Sequence, residues 1–407
     1  MKRVVVTGMG MVTPLGSDPV AVTDDVLAGK SGVVRIEKWE SVLDMHARIA
    51  APVKNFEPTK IPRKHRRSMS RMSLYAASAA QDALDQARFP MERMATGRVA
   101  VVAGSTTGSP DGFEEYWTEF LSTNSIRGIS STSFLRVMSH TVGSHLALAF
   151  GVTGAVISPS CACAVSNQAI GLGMDLIRWG RADAVIAGGA DEINTMSAVT
   201  FAVVHAGCVG HEDAPHTRPA PFDRTRDGVV VGEGAAIVIL ESLEHALERG
   251  APIVAEVLGY GESCDATHMS TPLPAGMRAA MQRSLADAKL APEDIDYVCA
   301  HATGTEQGDA AEAEATYATF GDRVPVSSLK GHFGHMLAAC GSTEFIVCVE
   351  AMRRGIVPQT LNLTSPNVAP LFLPTEPVRR PLRRIVSNNF AFGGINASLV
   401  LGPPPEL

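Results

Sequence analysis

Short β-forming runs alternate with helical patterns along most of the chain, and this alternation limits its possible folds more than any other feature. The strand-like runs are rich in valine, isoleucine and alanine, and apolar residues recur at helical spacing between many of them. Such runs are typical of strands covered on both faces, so we predict an α/β protein with mainly parallel, buried sheets. The predicted strands are 99–104, 155–160, 184–192, 235–241, 253–261, 297–301, 323–328 and 385–394, and the clearest predicted helices are 73–87, 167–180, 277–288 and 341–355.

The length of the chain predicts either two to three domains or one large α/β unit. It has 407 residues, 45% of them hydrophobic, which is ample for a core. A charged helical stretch at 243–249 is followed by Gly250 and Pro252. We therefore predict an N-terminal half at residues 1–250 and a C-terminal half at residues 251–407.

Charge and cysteine content exclude several classes of protein. The net charge of −7 offers no basic field for nucleic acid, and seven cysteines are too few and odd in number for a disulfide framework. No segment has 18 uninterrupted apolar residues, and the apolar run near the start is too short for a signal peptide. These features predict a cytoplasmic protein without a membrane span.

The N-terminal run, residues 2–7, is predicted to be a buried strand that ends in a glycine-rich turn. The segment Gly8 to Thr13 nearly matches the dinucleotide fingerprint G-x-G-x-x-G, but Thr13 and Pro14 occupy the places of the third glycine and the helix. We prefer a strand with a tight turn over a nucleotide site.

Two cysteines one residue apart, Cys161 and Cys163, lie between a predicted strand and a predicted helix. Backbone N–H groups at the start of a helix favour a thiolate and can hold a developing oxyanion. The pair alone cannot complete a zinc site, and a disulfide between residues i and i+2 is strained. A nucleophile and two inert core thiols both remain open from this stretch alone.

Two histidines in the second half follow strands in the same way. His301 lies in HATGTEQGD after one predicted strand, and His335 lies in LKGHFGHMLAACG after another. Open α/β sheets bind ligands at the carboxyl ends of their strands, so Cys163, His301 and His335 are candidates for one site.

The chain resembles the β-ketoacyl-acyl carrier protein synthases, the condensing enzymes of the thiolase-like superfamily. The resemblance extends over the whole chain and rests on six motifs in order. They are VVVTGMGMVTPLG, CACAVSNQAIG, PFDRTRDGVVVGEGAAIVILE, HATGTEQGD, LKGHFGHMLAACG and SNNFAFGGINASLVL. The resemblance implies a layered αβαβα fold with two similar halves and mixed, mainly parallel sheets.

The resemblance also implies a reaction and its residues. An acyl group is passed to Cys163, a malonyl-loaded carrier protein loses CO₂, and the resulting enolate attacks the acyl-cysteine; no metal or organic cofactor is required. His301 and His335 match the pair that polarises the malonyl thioester. The remaining matches are Lys330 (buried lysine), Glu312 (carboxylate partner of His301), Thr303 and Thr305 (pantetheine arm), Phe390 (substrate binding), and Phe392 (gate residue, whose N–H joins that of Cys163 in the oxyanion hole).

Several positions depart from the family pattern. Val165 replaces a threonine, Ala302 replaces a glycine, and Ala391 replaces the first glycine of the gate loop, which predicts either a stiffer gate or a displaced hinge. Thr107 stands where long-chain members often carry glycine, which predicts a shorter or reshaped acyl tunnel. We therefore expect a specialised synthase, such as one for polyenes or another natural product, rather than the housekeeping long-chain enzyme.

A monovalent cation site is left open by the resemblance. Glu344, Ser387 and Asn388 match parts of the family's site, but Cys299 stands where an asparagine ligand is common.

The expected partners are an acyl carrier protein and a second copy of the chain. Residues 63–71, RKHRRSMSR, are the densest basic run, and Lys64, Arg67 and Arg127 are candidates for docking the acidic carrier. The resemblance implies a homodimer in which the partner chain completes each tunnel. The alternative function is a non-catalytic chain-length factor, a class that lacks the active cysteine.

Overall fold

The computed structural model describes residues 1–406, which form fourteen strands and thirteen α-helices. The strands are β1 Val4–Val12, β2 Val34–Arg35, β3 Ile49–Ala50, β4 Val99–Gly104, β5 Val156–Ile157, β6 Ala184–Asp191, β7 Gly234–Ser242, β8 Ala255–Cys264, β9 Tyr297–Ala300, β10 Val326–Ser328, β11 Ile356–Val357, β12 Val378–Arg379, β13 Ile385–Ala391 and β14 Ile395–Gly402. The helices are α1 Pro19–Leu27, α2 Arg63–Arg66, α3 Arg71–Ala87, α4 Pro110–Thr123, α5 Ser133–Val137, α6 Thr141–Phe150, α7 Val165–Arg178, α8 Thr195–Val203, α9 Leu243–Glu248, α10 Pro274–Ala288, α11 Glu306–Phe320, α12 Lys330–Phe333 and α13 Cys340–Arg354.

Ten strands form one sheet whose two halves repeat the same topology. The order is β10-β9-β13-β14-β8-β1-β7-β6-β4-β5, so β8, β14, β13, β9 and β10 mirror β1, β7, β6, β4 and β5 about the centre. In each half the two outer pairs are parallel and the two inner pairs are antiparallel, and β1 pairs antiparallel with β8. The α/β class and the two similar halves are confirmed. The sheet is mixed, but parallel pairs do not predominate, because all five pairs at the centre are antiparallel.

Helices cover the sheet in layers that follow from the alternation of side chains along the strands. Along β7, Ala235, Ile237 and Ile239 pack in a core with α3 and α6, whereas the residues between them pack in the core that contains α7 and α13. In the other half, β9 and β14 send alternate residues to that same α7–α13 core and to a third core with α10 and α11. Helices α7 and α13 therefore lie between the two halves of the sheet, as a layered αβαβα fold requires.

The first strand continues through its glycines, contrary to the predicted turn. β1 runs from Val4 to Val12 and includes both Gly8 and Gly10. A Cβ atom would lie 1.9 Å from the carbonyl oxygen of Ala83 at Gly8, and 2.0 Å from that of Ala79 at Gly10. The glycines are therefore needed for close packing of α3 on the strand, and the alanines of that helix serve the same contact.

Among the helices within residues 1–406, none is both long enough and apolar enough to cross a bilayer.

Candidate active site

The Cys163 side chain lies on a tight turn immediately before α7. A 3₁₀ turn spans Ala162–Ala164, and Ala162 has a left-handed backbone with φ of 49°. The Ala164 N–H donates to the Cys161 carbonyl at 3.1 Å, which closes the turn. Left-handed backbone is uncommon for a residue with a Cβ, so the turn is strained. Cys163 is 7% exposed and reaches a cavity that His301 and His335 also line.

The turn that carries His301 is held by two carboxylates from α11. Glu312 accepts hydrogen bonds from the backbone N–H groups of His301 at 2.8 Å and Ala302 at 2.6 Å. Asp309, one helical turn earlier, accepts from the N–H of Gly304 at 3.1 Å. Residues three apart share a helix face, which explains why both reach the same turn. Glu312 thus contacts the backbone of His301, whereas the resemblance had suggested a carboxylate partner for the residue without specifying the contact.

The backbone of His335 is fixed by the segment before β7. Its N–H donates to the Val230 carbonyl at 2.7 Å, and its carbonyl accepts from the Gly232 N–H at 2.8 Å. This explains part of the motif at 221–241, because VVVGEG supplies a short parallel bridge to the histidine. The ring is therefore placed by main-chain contacts on both sides.

The three side chains converge. The His335 Nε2 atom lies 2.9 Å from the Cys163 Sγ atom. The rings of His301 and His335 stand edge to face, with centroids 5.2 Å apart and an interplanar angle of 82°. The sulfur and one nitrogen of each ring all lie within 4.8 Å of one another. A thiol and two imidazoles from three separate segments therefore face one small volume.

Burial keeps all three groups uncharged in the resting site. It lowers the pKa of His301 and His335 well below the usual range for histidine, and the positive charge of Lys330 lowers both further. Burial also raises the pKa of the Cys163 thiol to about 12, although Lys330 acts in the opposite direction. The thiolate suggested by the helix start is therefore not the resting form, because desolvation outweighs the backbone N–H groups.

A buried ion pair lies behind the histidines. The Lys330 ammonium contacts Glu344 Oε1, and both side chains are almost fully buried. Burial alone would lower the pKa of Lys330, but the Glu344 carboxylate raises it, so the lysine is charged. The second oxygen of Glu344 accepts from Asn389 Nδ2 at 2.9 Å.

Asn389 links this pair to His301 and was not among the residues predicted from the sequence. Its Nδ2 atom lies 3.4 Å from His301 Nδ1. An amide nitrogen can only donate, so His301 Nδ1 must accept and the ring proton must lie on Nε2. By contrast, His335 Nδ1 is buried with no hydrogen-bond partner among residues 1–406, so its tautomer is not fixed. The available signal was the position of Asn389 within SNNFAFGG, between Asn388 and Phe390, for which the family resemblance suggested roles.

The cavity in front of these groups has a volume of about 540 Å³. Thr303 and Thr305 line it, with their hydroxyl oxygens 3.2 Å apart, and Phe390 packs near His301 with ring centroids 6.4 Å apart. Thiol, imidazoles and hydroxyls thus share one space. The volume is that of a typical small-molecule site.

The gate loop forms a tight connection between β13 and β14. Gly393 and Gly394 take the left-handed backbone, with φ of 88° and 70°, whereas Ala391 is the last residue of β13. The alanine therefore lies where no positive φ is needed, and the structure gives no reason for a stiffer loop in this conformation. Phe392 is 39% exposed, and its ring lies 6.0 Å from that of Phe201 at the cavity wall.

The other predicted residues lie outside the cavity of the single chain. Thr107 is exposed on the loop after β4 and does not line the cavity. Lys64 and Arg67 are exposed on and just after α2, and Arg127 is exposed after α4.

The residues proposed for a monovalent cation do not make a suitable site. Both oxygens of Glu344 are engaged, by Lys330 and by Asn389, and Cys299 presents a buried thiol, a soft ligand. Ser387 Oγ and Asn388 Oδ1 are buried without partners within residues 1–406, but two side-chain oxygens are few for a hard cation.

Comparison with known proteins gives matches over nearly the whole chain. Residues 1–246 match the family Beta-ketoacyl synthase, N-terminal domain, and residues 254–364 match Beta-ketoacyl synthase, C-terminal domain. The chain is 36% identical over 409 residues to 3-oxoacyl-(acyl-carrier-protein) synthase 2 of Coxiella burnetii, with 98% of each chain covered.

Solved structures also match the chain over nearly its whole length. A β-ketoacyl synthase from Burkholderia phymatum superposes with a TM-score of 0.96 at 42% identity, covering 100% of both chains. A chain of AntDE:AntF, a complex of a type II PKS acyl-carrier protein with its ketosynthase, gives a TM-score of 0.90 at 28% identity, covering 99% of this chain and 100% of that one. Motif order, fold and these matches together show that the chain belongs to the β-ketoacyl synthase family of acyltransferases.

Proposed function

We propose that this chain extends acyl groups by decarboxylative condensation, with Cys163 as the acyl carrier and His301 and His335 as the enolate-binding pair. The single observation that supports these roles is the convergence of one thiol and two neutral imidazoles within 4.8 Å on one cavity. In the second step each neutral ring donates one N–H hydrogen bond to the enolate oxygen and keeps its proton.

In the first step, the Cys163 sulfur attacks an acyl thioester and releases the carrier thiol. The thiol is protonated at rest, so a proton must leave as the S–C bond forms. His335 Nε2, at 2.9 Å, accepts this proton and passes it to the departing carrier sulfur. One thiol and one thioester are present both before and after this step, and His335 ends neutral.

In the second step, the malonyl thioester loses CO₂ and its thioester oxygen becomes an enolate. The Nε2 proton of His301 is fixed by Asn389, so this ring is a ready donor to that oxygen. His335 accepts at Nε2 in the first step, with its own proton on Nδ1. Because Nδ1 has no partner within residues 1–406 that fixes this proton, exchange with water between the steps moves it to Nε2, which then donates to the enolate. The enolate carbon then attacks the acyl-cysteine; the C–C bond forms, the acyl–sulfur bond to Cys163 breaks, and the released thiolate takes one proton from solvent.

We infer that acyl- and malonyl-loaded carrier proteins deliver the substrates. The name of the Coxiella relative includes the acyl carrier protein, and the AntDE:AntF complex contains one. The exposed Lys64, Arg67 and Arg127 supply positive charge for an acidic carrier, and the hydroxyls of Thr303 and Thr305 line the path for its pantetheine arm. The Phe392 N–H is proposed to join that of Cys163 in binding the thioester oxygen.

We further infer a homodimer in the cytoplasm. Strand β5 is at the end of the sheet, and Val156 on it is 42% exposed, so a second copy can pair along this edge. Thr107 is exposed on the neighbouring loop, where a partner chain would enclose it and complete the acyl tunnel. Specialised polyketide or fatty acid extension remains the proposed pathway class, and the domain boundary at residue 250 remains a prediction.

The experiment separates the two steps. Cys163→Ala should abolish the acyl adduct seen by intact mass spectrometry, while still releasing CO₂ from malonyl carrier protein, because the histidine pair is intact. His301→Ala should retain the adduct and lose CO₂ release by roughly 10²–10³-fold, as expected for one lost oxyanion donor. If Cys163→Ala folds and still forms the adduct, the assignment of the nucleophile is wrong, and a non-catalytic chain-length factor would show neither activity.

A further inference from the structure

A second cluster of cysteine, histidine and aspartate lies at the rim of the cavity, apart from the catalytic residues. Cys208, His211 and Asp227 each place one potential ligand atom within 4.8 Å of the others. His211 Nε2 is 2.7 Å from Asp227 Oδ2. Cys208 is buried, whereas the side chains of His211 and Asp227 are 29% and 32% exposed. The cluster is therefore closed on the thiol side and open to solvent on the other.

Two segments of backbone build this cluster. The Cys208 N–H donates to the Val229 carbonyl at 2.9 Å, which places the thiol beside the segment that carries Asp227. Gly210 and His211 then take left-handed backbone, with φ of 80° and 69°. This conformation is uncommon for histidine, and it turns the chain so that the ring returns to Asp227. Strained backbone at a polar cluster is typical of ligand sites.

The three donors form a set that suits a borderline divalent metal. Zinc sites combine thiolate sulfur, imidazole nitrogen and carboxylate oxygen, and three protein ligands leave one position for water. Arg218 Nε lies 3.2 Å from Asp227 Oδ1, and a bound metal would replace the present contact between Asp227 Oδ2 and His211 Nε2. Ligating carboxylates are commonly oriented by such an outer partner.

We propose that Cys208, His211 and Asp227 bind one divalent transition metal ion of the zinc class, with water as the fourth ligand. Binding breaks the S–H bond of Cys208, forms a metal–sulfur bond and releases one proton to solvent, without any change of oxidation state. Because binding releases one proton, metal affinity should rise with pH.

The site would stabilise the rim where the pantetheine arm enters. Asp227 and Gly228 line the cavity, and the Gly228 N–H donates to the Gly304 carbonyl at 2.9 Å, between Thr303 and Thr305. A metal ion would tie residues 208–211 to this segment. The proposal does not depend on the condensation chemistry.

The test uses the full-length protein, stripped with a chelator and then titrated with ZnCl₂ or CoCl₂. We expect one metal ion per chain by elemental analysis after gel filtration, and for cobalt a thiolate charge-transfer band with tetrahedral d–d bands. Cys208→Ser should lose the charge-transfer band, and His211→Ala, a change at a partly exposed side chain, should lower the affinity at least tenfold while the protein remains folded.

The matched control distinguishes this site from the catalytic cluster, which also places three donor atoms within 4.8 Å. Cys163→Ser should retain both the stoichiometry and the cobalt band. Loss of the metal in Cys163→Ser, unchanged binding in both Cys208→Ser and His211→Ala, or no uptake by the wild-type protein would each overturn the proposal.

Discussion

The buried pair of Lys330 and Glu344 allows a prediction whose size follows from the structure. The lysine and glutamate side chains are 2% and 3% exposed, and water cannot replace either partner. Removing one partner of such a pair costs about 3–5 kcal/mol, because the other charge is left in a medium of low dielectric constant. We expect Lys330→Met to lower the free energy of unfolding by this amount.

The double variant Lys330→Met/Glu344→Gln is the matched control. It removes both charges, and glutamine retains a carbonyl oxygen for the 2.9 Å hydrogen bond from Asn389. Urea unfolding followed by tryptophan fluorescence should therefore show the double variant to be more stable than Lys330→Met. A loss below about 1 kcal/mol in Lys330→Met, the value of a surface pair, would refute the reasoning. So would a double variant as unstable as the sum of the single changes.

The same substitution has a catalytic consequence with a definite sign. The Lys330 charge lowers the pKa of both His301 and His335, but burial is the larger cause. Without the lysine, both pKa values rise while remaining below the usual value of about 6.5. The acid limb of malonyl decarboxylation should therefore move to higher pH in Lys330→Met without passing that value. An unchanged limb would show that the lysine does not set the protonation of the rings.

Three further predictions concern residues outside the catalytic cluster. Asp191→Asn should lower kcat and change KM less, both measured with malonyl carrier protein. The reason is that the Asp191 carboxylate accepts from the Ala338 N–H at 2.8 Å and so holds the turn after His335. An equal loss of kcat in an unrelated surface variant would argue against this. Thr107→Gly should lengthen the accepted acyl primer, measured by mass spectrometry of adducts, and an unchanged profile would contradict it. Lys64→Ala/Arg67→Ala should raise KM for carrier substrates and flatten its dependence on salt, with little change for small thioesters.

The sequence predicted the α/β class and much of the sheet, because buried strands and amphipathic helices have distinct periodicities. The predicted strand 99–104 matches β4 at both ends, and the predicted helix 73–87 lies within α3. The predicted first strand ends before Gly8, because glycine normally weakens a strand, whereas β1 continues to Val12. The compensating contact, the carbonyls of α3, is not visible in local sequence.

The sequence predicted the site residues that stand in the family's motifs. It predicted less well the roles that depend on which residues become neighbours after folding. Asn389 has a role only because Glu344 and His301 lie on either side of it, and these residues come together through folding. The protonation of Cys163 depends on burial, which outweighs the favourable helix start that the sequence did indicate. Electrostatic state is thus the property that local sequence predicts least well.

The repeated topology explains why the reactive groups come from distant parts of the chain. Helix α7 follows a 3₁₀ turn in which Ala162 has φ of 49°, and α13 follows a 3₁₀ turn at Leu337–Ala339 in which Leu337 has φ of 51°. The two turns are equivalent in the two halves, and Ala338 corresponds to Cys163. The second turn carries no reactive side chain, and its N–H is bound by Asp191 instead.

The two halves of the chain supply different reactive groups, so the site depends on how the halves pack against each other. The Ser166 hydroxyl, at the start of α7, donates to the Ala338 carbonyl and lies 3.0 Å from the Ser342 hydroxyl on α13, so the two helix starts meet. The nucleophile belongs to the first half, and both imidazoles belong to the second. Neither half can place a thiol beside two neutral rings, so condensation requires that α7 and α13 pack against each other in the layer between the two halves of the sheet.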